Sequence, residues 1–198
     1  MNLYRRMKRG LTISIPMEND EAMYYAHRER FNELVSRGEH DSREAAGLFY
    51  YLNRTGYNGL CRFNQRGGFN VPFGRYANIT YTKDFRNYRK LFAGWTFQCK
   101  NFQAVALTDD DFVYADPPYD VEFTQYAKDG FSWEDQVKTA EWLARHPGPV
   151  VLSNQATRRV VRLYRSLGFK LRFLSAPRMI SCSGDRTPAR EVLATKNL

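Results

Sequence analysis

The run Phe112-Val113-Tyr114-Ala115 is followed at once by Asp116-Pro117-Pro118-Tyr119, and this junction limits the folds open to the chain. Neither proline can donate to a sheet ladder, and each disfavours helix in the residue before it, so an extended run has to stop here. What stands at the strand's end is a carboxylate, a rigid turn of carbonyl acceptors and an aromatic ring. Open α/β sheets keep their sites at such C-terminal strand ends. A turn of this composition can offer acceptors to a flat amine while the ring covers it. It can equally be a plain turn after a core strand, and the rest of the sequence bears on the choice.

The second half of the chain has an α/β rhythm. Ser132 is placed to cap a helix running to about residue 145, with Asp135 at the capping-box position and Val137, Ala140 and Ala144 facing inward. Pro147-Gly148-Pro149 precedes a strand over Val150–Ser153, and residues 157–167 form a helix that buries Val160, Val161, Tyr164 and Leu167. Gly168 ends that helix, Phe169–Leu174 follows as a strand, and Glu191–Thr195 adds an antiparallel edge. Phe97-Gln98-Cys99 reads as a further short strand. In the first half, residues 20–36 place Tyr24, His27, Phe31, Leu34 and Val35 on one helical face, with Gly38 as terminator. A second helix over 42–53 turns Ala45, Ala46, Leu48, Phe49 and Leu52 inward. His27 reads as a packing or helix-surface residue, and His40 and His146 lack partners at ligand spacing.

Residues 54–80 leave helical periodicity altogether. Glycines and amide side chains alternate with arginines and aromatics in Gly56-Tyr57-Asn58-Gly59-Leu60-Cys61-Arg62-Phe63-Asn64 and again in Phe69-Asn70-Val71-Pro72-Phe73-Gly74-Arg75-Tyr76. Arg66-Gly67-Gly68 is a turn between two short extended pieces, so the segment is expected to be a projecting hairpin. Its side chains suit a nucleic-acid reader: arginine engages guanine bidentately, asparagine pairs with base edges, and tyrosine or phenylalanine stacks on or wedges between bases. A glycine-rich loop whose aromatics dock on the domain has the same composition.

Charge distribution points the same way. Residues 54–90 carry eight basic groups against Asp84 alone, and residues 156–198 carry ten against two acidic ones. Residues 109–135 between them carry nine acidic groups against Lys128. This pattern fits a polyanion held by its backbone while chemistry happens at one neutral group, although a solvated basic surface has the same counts. No apolar run approaches a membrane span, and no signal peptide is evident at Met1-Asn2-Leu3-Tyr4-Arg5-Arg6. Cys61, Cys99 and Cys182 lie far apart, which argues against a disulfide scaffold or zinc site and for a reducing, cytoplasmic setting.

Three stretches carry a family resemblance: Asn53-Arg54 with Gly56 through Asn64, the block Phe69–Tyr76, and Asp116–Tyr119. In that order they closely resemble the Dam family of DNA adenine N6-methyltransferases, over nearly the whole chain from Asn2 to about Leu193. The resemblance implies methyl transfer from S-adenosylmethionine to an adenine flipped out of a GATC-like site in double-stranded DNA. Neither a metal nor a Ser-His-Asp set is required for that chemistry. It implies a Rossmann-like class I methyltransferase fold, α/β, with an inserted helical and hairpin DNA-recognition region. Residues 1–19 then open the catalytic domain, 20–90 recognise the target, and 91–198 complete the catalytic part. By position, Asp116, Pro117, Pro118 and Tyr119 match the catalytic motif, with Asp116 also near the donor. Tyr57 matches the residue that wedges into the duplex, with Asn58 beside it; Leu60, Arg62 and Pro72 match base-reading positions, and Arg75 a hairpin arginine near the DNA backbone. Phe123 and Tyr126 match a region flanking the pocket, as do Ser153 and Asn154 at a later strand end; Arg178 and Ser181–Thr187 resemble a late loop that reaches phosphate.

The family's glycine-rich loop and the acidic strand end that takes the donor ribose precede a piece resembling Asn2-Leu3-Tyr4, where this chain starts, and no GxG pattern occurs in it. The resemblance therefore implies an N-terminally incomplete fold, lacking two parallel strands and much of the donor cradle. An isolated chain is then expected to bind the donor poorly. A separate partner half, a truncated and inactive DNA-binding protein, and a misassigned start all fit this departure. Methylation of RNA or of a protein amide nitrogen fits the reader blocks less well.

Overall fold

The computed structural model describes residues 1–120, 131–176 and 189–198. The chain divides into two compact units, Met1–Cys99 and Lys100–Leu198.

The first unit is helical with an irregular arm. Helix α1 (Asn2–Lys8), which has no capping signal in sequence, is tied by its first residue: the Asn2 amide donates to the carbonyls of His40 and Ser42. Helix α2 (Glu21–Ser36) starts at Asp20, whose carboxylate accepts from the Met23 N–H, and ends at Gly38, which takes φ +78. There the Glu39 N–H reaches back to the Leu34 carbonyl and closes the helix end. Helix α3 (Arg43–Thr55) is capped by Ser42 and buries Ala45, Leu48, Leu52 and Thr55 on one face, with Tyr51 fully buried beside them. These residues, with Tyr24, Phe31, Leu34, Phe69 and Val71, form one core. His27 packs edge-on against Tyr51 at 4.8 Å, and burial lowers its pKa, so it is a packing residue as the sequence suggests.

The hairpin over 54–76 forms, but it does not project freely. The Asn64 N–H donates to the Gly68 carbonyl across the Arg66-Gly67-Gly68 turn, and Phe63 bridges Phe69. Its returning arm inserts Phe69 and Val71 into the helical core, because those two alternate with the polar Asn70. The arm closes on the end of α3 through the bridge between Gly56 and Phe73. Gly74 is required there, since a Cβ would lie 2.8 Å from the Thr55 carbonyl and against the Tyr76 ring. Helix α4 (Tyr88–Leu91) follows. The expected strand at Phe97-Gln98-Cys99 is absent: Phe97 stacks on Tyr4 and packs edge-on against Phe92, and the Arg5 guanidinium takes its carbonyl, so no ladder partner is left.

The second unit is an α/β layer. Strand β1 (Val113–Ala115) pairs in parallel with β2 (Val150–Gln155); helix α5 (Trp133–Ala144) and helix α6 (Arg158–Ser166) flank β2 in sequence. Strands β3 (Lys170–Ala176) and β4 (Ala189–Lys196) are antiparallel, giving the order β1-β2-β4-β3. This mixed four-stranded sheet is consistent with part of a class I methyltransferase-like fold. The expected antiparallel edge is antiparallel but internal: β4 lies between β2 and β3, and its Val192 and Ala194 are buried in the core. A single strand's alternation cannot distinguish an internal position from an edge, because both faces read alike. The capping box of α5 forms as expected, but its buried face is rotated by about one position, to Gln136, Thr139, Ala140 and Leu143. Val137 and Ala144 are only half-buried; so are Val161 and Leu167, which leaves Val160 and Tyr164 as the buried residues of α6.

Candidate functional site

The Asp116–Tyr119 turn is placed by the parallel pairing of β1 and β2. Their register, with Ala115 opposite Leu152, brings Asp116 beside Ser153 and Asn154, one step past the paired ends. Ser153 Oγ donates to Asp116 Oδ1 at 2.7 Å and so sets the direction of an otherwise exposed carboxylate. The Tyr114 hydroxyl lies 3.4 Å from the same Ser153 oxygen. A cavity of about 640 Å³ adjoins the turn, walled by Phe102, Leu107, Val113 and Trp142, with Asp116 and Pro117 also on its lining.

Behind the turn lies a buried polar network that the sequence did not disclose. Asn154 is fully buried, and its carboxamide makes four hydrogen bonds, the full capacity of the group. Its oxygen accepts from the N–H groups of Asp120 and Gln155; its nitrogen donates to Gln136 Oε1 at 2.9 Å and to the Tyr164 hydroxyl at 3.0 Å. Gln136 in turn donates to the Pro118 carbonyl at 2.6 Å. Burial pushes the Tyr164 phenol up to about 12, partly offset by its bond to Asn154, so it stays protonated. A glutamine inside an amphipathic helix gives no hydrophobic-pattern signal, so the sequence places Ala140 but not Gln136 on the buried face.

Asp120 is 6 % exposed yet ionised. Burial alone would raise its pKa, but hydrogen bonds from Arg159 and Thr157 outweigh this and hold it below the ordinary carboxylate value. The Arg159 guanidinium also lies 4.5 Å over the Trp133 ring. Below an unfolded-state pKa of about 3.9, the unfolded chain binds a proton that native Asp120 resists. The pair's contribution is therefore complete above that pH and is lost as pH falls through the lower native value. Arg159→Met is expected to destabilise the protein at neutral pH, since Asp120 would stay buried without its cation. Urea unfolding should show that difference shrinking in acid; an equal difference at both pH values would contradict this reading. The Tyr119 hydroxyl lies 3.4 Å from Glu191 Oε2 on β4, and burial raises its pKa, with Glu191 and Asp116 adding to the shift.

The expected DNA-reading residues gather on the arm of the first unit. Tyr57, Asn58 and the following Gly59 form a 3-10 turn directly after α3, with Asn58 in the left-handed region at φ 53. The Tyr57 N–H donates to the Pro72 carbonyl at 2.9 Å, which brings Tyr57, Asn58 and Pro72 to one end of the arm. The Tyr57 ring is 44 % exposed, while Leu60 is half-buried against the helical core. Arg62 lies farther along the hairpin, its guanidinium donating to the Asn70 side chain at 2.8 Å and to the Asn70 carbonyl at 3.0 Å. Arg75, at φ 45, forms a forked ion pair with Glu21 at 3.0 Å. Phe123, Tyr126, Arg178 and Ser181–Thr187 lie outside the described residues. Among the described residues no cluster of His, Cys, Asp or Glu is placed to hold a metal, and no helix is long and apolar enough to cross a membrane.

A family model described as D12 class N6 adenine-specific DNA methyltransferase matches residues 4–179. The chain is 38% identical over 183 residues to the Retron Ec67 DNA adenine methylase of Escherichia coli, covering 89% of this chain and 62% of that protein. It is 34% identical over 188 residues to the Type II methyltransferase M.MjaIII of Methanocaldococcus jannaschii, covering 88% and 63%. With the DNA adenine methylase of Escherichia coli K12 the identity is 36% over 192 residues, covering 91% and 66%. The chain thus spans a little under two thirds of the length of these relatives.

Proposed function

Since the chain belongs to the D12 class of N6 adenine-specific DNA methyltransferases, we propose that it reads a GATC-like duplex with the arm over 57–75 and holds the extruded adenine at Asp116–Tyr119. The observation that carries this is the exposed Asp116 carboxylate, aimed by Ser153 at the C-terminal end of β1 beside an apolar cavity.

An exocyclic adenine nitrogen is a poor nucleophile because its lone pair is delocalised into the ring. The Asp116 carboxylate and the Pro117 carbonyl would each accept one of its two hydrogens, favouring a pyramidal nitrogen whose lone pair points away from the ring. The Tyr119 ring would stack on the base and help offset the cost of extrusion, a few kcal/mol. After the nitrogen gains its methyl, one proton leaves along its hydrogen bond to Asp116 and from that exposed carboxylate to water. Positioning and electrostatics carry the rate in such a site. The apolar walls and the single aimed carboxylate fit a cationic adenosine-bearing donor at the Asp116 end of the cavity, and Asp116 and Pro117 would hold it. Bound S-adenosylmethionine would supply an electrophilic methyl group on its sulfonium. On the arm, Tyr57 would fill the space the adenine vacates, with Asn58 against the orphaned partner base; Leu60, Arg62 and Pro72 would read base edges and Arg75 the backbone. Ser153 would flank the pocket through its bond to Asp116, and Asn154 would support the turn from behind.

A second reading, DNA binding with methyl transfer only when a further segment completes the donor site in cis or in trans, has one supporting observation. Among the described residues, β1 pairs with a strand on one side only. Two measurements separate the readings: affinity for a GATC duplex against a scrambled one, and incorporation of labelled methyl into the same duplex. Preference for GATC with incorporation supports the first reading, and preference without incorporation the second. No preference removes both. Arg62→Gln is expected to lower the GATC preference roughly ten- to hundredfold, the equivalent of one lost bidentate base contact. The Asn70 bonds of Arg62 must yield for that contact, so Asn70→Ala should leave the preference intact; loss of preference in both variants would instead mark the pair as hairpin structure.

A further inference from the structure

We infer that Gln136 and Asn154 are positioning residues: their buried amide pair clamps the backbone on both sides of Tyr119 and so fixes its ring for stacking on the substrate base. The inference rests on the reading of this turn as the adenine-holding turn. Before Tyr119, the Pro118 carbonyl accepts from Gln136 Nε2 at 2.6 Å. After it, the Asp120 N–H donates to Asn154 Oδ1 at 2.9 Å. The two amides are joined to each other at 2.9 Å, so one rigid unit grips both flanking peptides. The Asp120 side chain adds a third anchor through Thr157 and Arg159. With both neighbouring peptides held, the Tyr119 ring keeps only its own side-chain torsions, and its hydroxyl lies 3.4 Å from Glu191.

Why a polar pair rather than leucines sits here follows from the prolines. The prolines at 117 and 118 have no N–H, and a turn made of them leaves carbonyls that no ladder can satisfy. A buried side-chain donor is one of the few ways to hold such a carbonyl in one direction. Gln136 is 3% exposed and Asn154 fully buried, so neither can meet a substrate directly. Their effect on the site passes through Tyr119.

The test uses the full 198-residue chain with Gln136→Glu, Gln136→Met and Tyr119→Ala. Gln136→Glu keeps an acceptor for Asn154 and, when ionised at high pH, lacks the donor to Pro118; Gln136→Met removes both links at similar volume. Amide exchange at Asp120 is expected to rise about tenfold in both Gln136 variants, relative to the amides of Leu152 and Val192. With 2-aminopurine at the target adenine of a GATC duplex, the fluorescence rise on binding should fall in both, while affinity for that duplex stays within about twofold. Exchange that rises equally across the sheet, or an unchanged turn with an undiminished signal, overturns the clamp. A Tyr119→Ala variant with the full fluorescence rise overturns the stacking reading instead. A wild-type chain giving no rise refutes base extrusion by this chain, and with it the purpose of the clamp.

Discussion

Asp116→Ala is expected to reduce methyl transfer to a GATC duplex roughly hundred- to thousandfold, while leaving duplex affinity unchanged. The size follows from what the carboxylate does. Under the proposed function it would be a charged acceptor aimed at the place where the adenine amino group develops positive charge, and removing one such aimed group costs about this much in other enzymes. Its direction is supplied by Ser153, so Ser153→Ala should show a smaller loss of the same kind, about tenfold, corresponding to one orienting hydrogen bond. Affinity should be spared because the residues proposed to read the duplex lie on the arm over 57–75, far along the sequence from Asp116. The measurement is labelled methyl incorporation beside fluorescence anisotropy on one duplex. If both fall together, Asp116 serves binding rather than the transfer step. If neither changes, the turn is not the reacting site.

Leu152→Ala is expected to destabilise the second unit by about 3 kcal/mol, within the usual range for a buried leucine truncated to alanine. Leu152 is fully buried on β2, with Val150 before it and the site residues Ser153 and Asn154 after it. A cavity there removes support from the strand that orients both, so the site should lose order before the sheet unfolds. Leu52→Ala on α3, equally buried in the separate core of the first unit, is the matched control. Amide exchange should report each loss in the unit that carries the substitution. A Leu152→Ala protein with unaltered exchange at Ser153 and Asn154 would show that β2 does not transmit the defect to the site. Because a domain's whole stability is about 5–15 kcal/mol, either change is large enough to resolve in denaturant titration.

Much of the fold was legible because it is local. Ser132 announces a helix start and accepts a backbone N–H there, as Asp20, Ser42 and Thr157 do at the starts of α2, α3 and α6. Gly38 and Gly168 announce helix ends, and both adopt positive φ. Elements that local sequence does not specify depend on partners distant in the chain. α1 is held by carbonyls about forty residues away. Phe97-Gln98-Cys99 has strand-like composition but its side chains and carbonyl are taken by α1 and the aromatic cluster. On α5, hydrophobic periodicity favours Val137, whereas a carbonyl at Pro118 selects Gln136 for the buried face.

For the site, the chemistry at the strand end is local: two prolines stop β1, and Asp116 and Tyr119 must then stand at its C-terminal rim. The sequence also sets where the arm over 54–76 doubles back, at Arg66-Gly67-Gly68. The direction in which those groups are held comes from contacts between distant parts of the chain. Ser153 aims Asp116, Gln136 and Asn154 grip the peptides around Tyr119, Arg159 keeps Asp120 charged inside, and Phe69 and Val71 pin the arm to the helices. The reason is one of range. Where a chain must turn is set by the torsional limits of a few adjacent residues, whereas the direction of a buried polar group is set by whichever donor or acceptor the fold brings within about 3 Å of it.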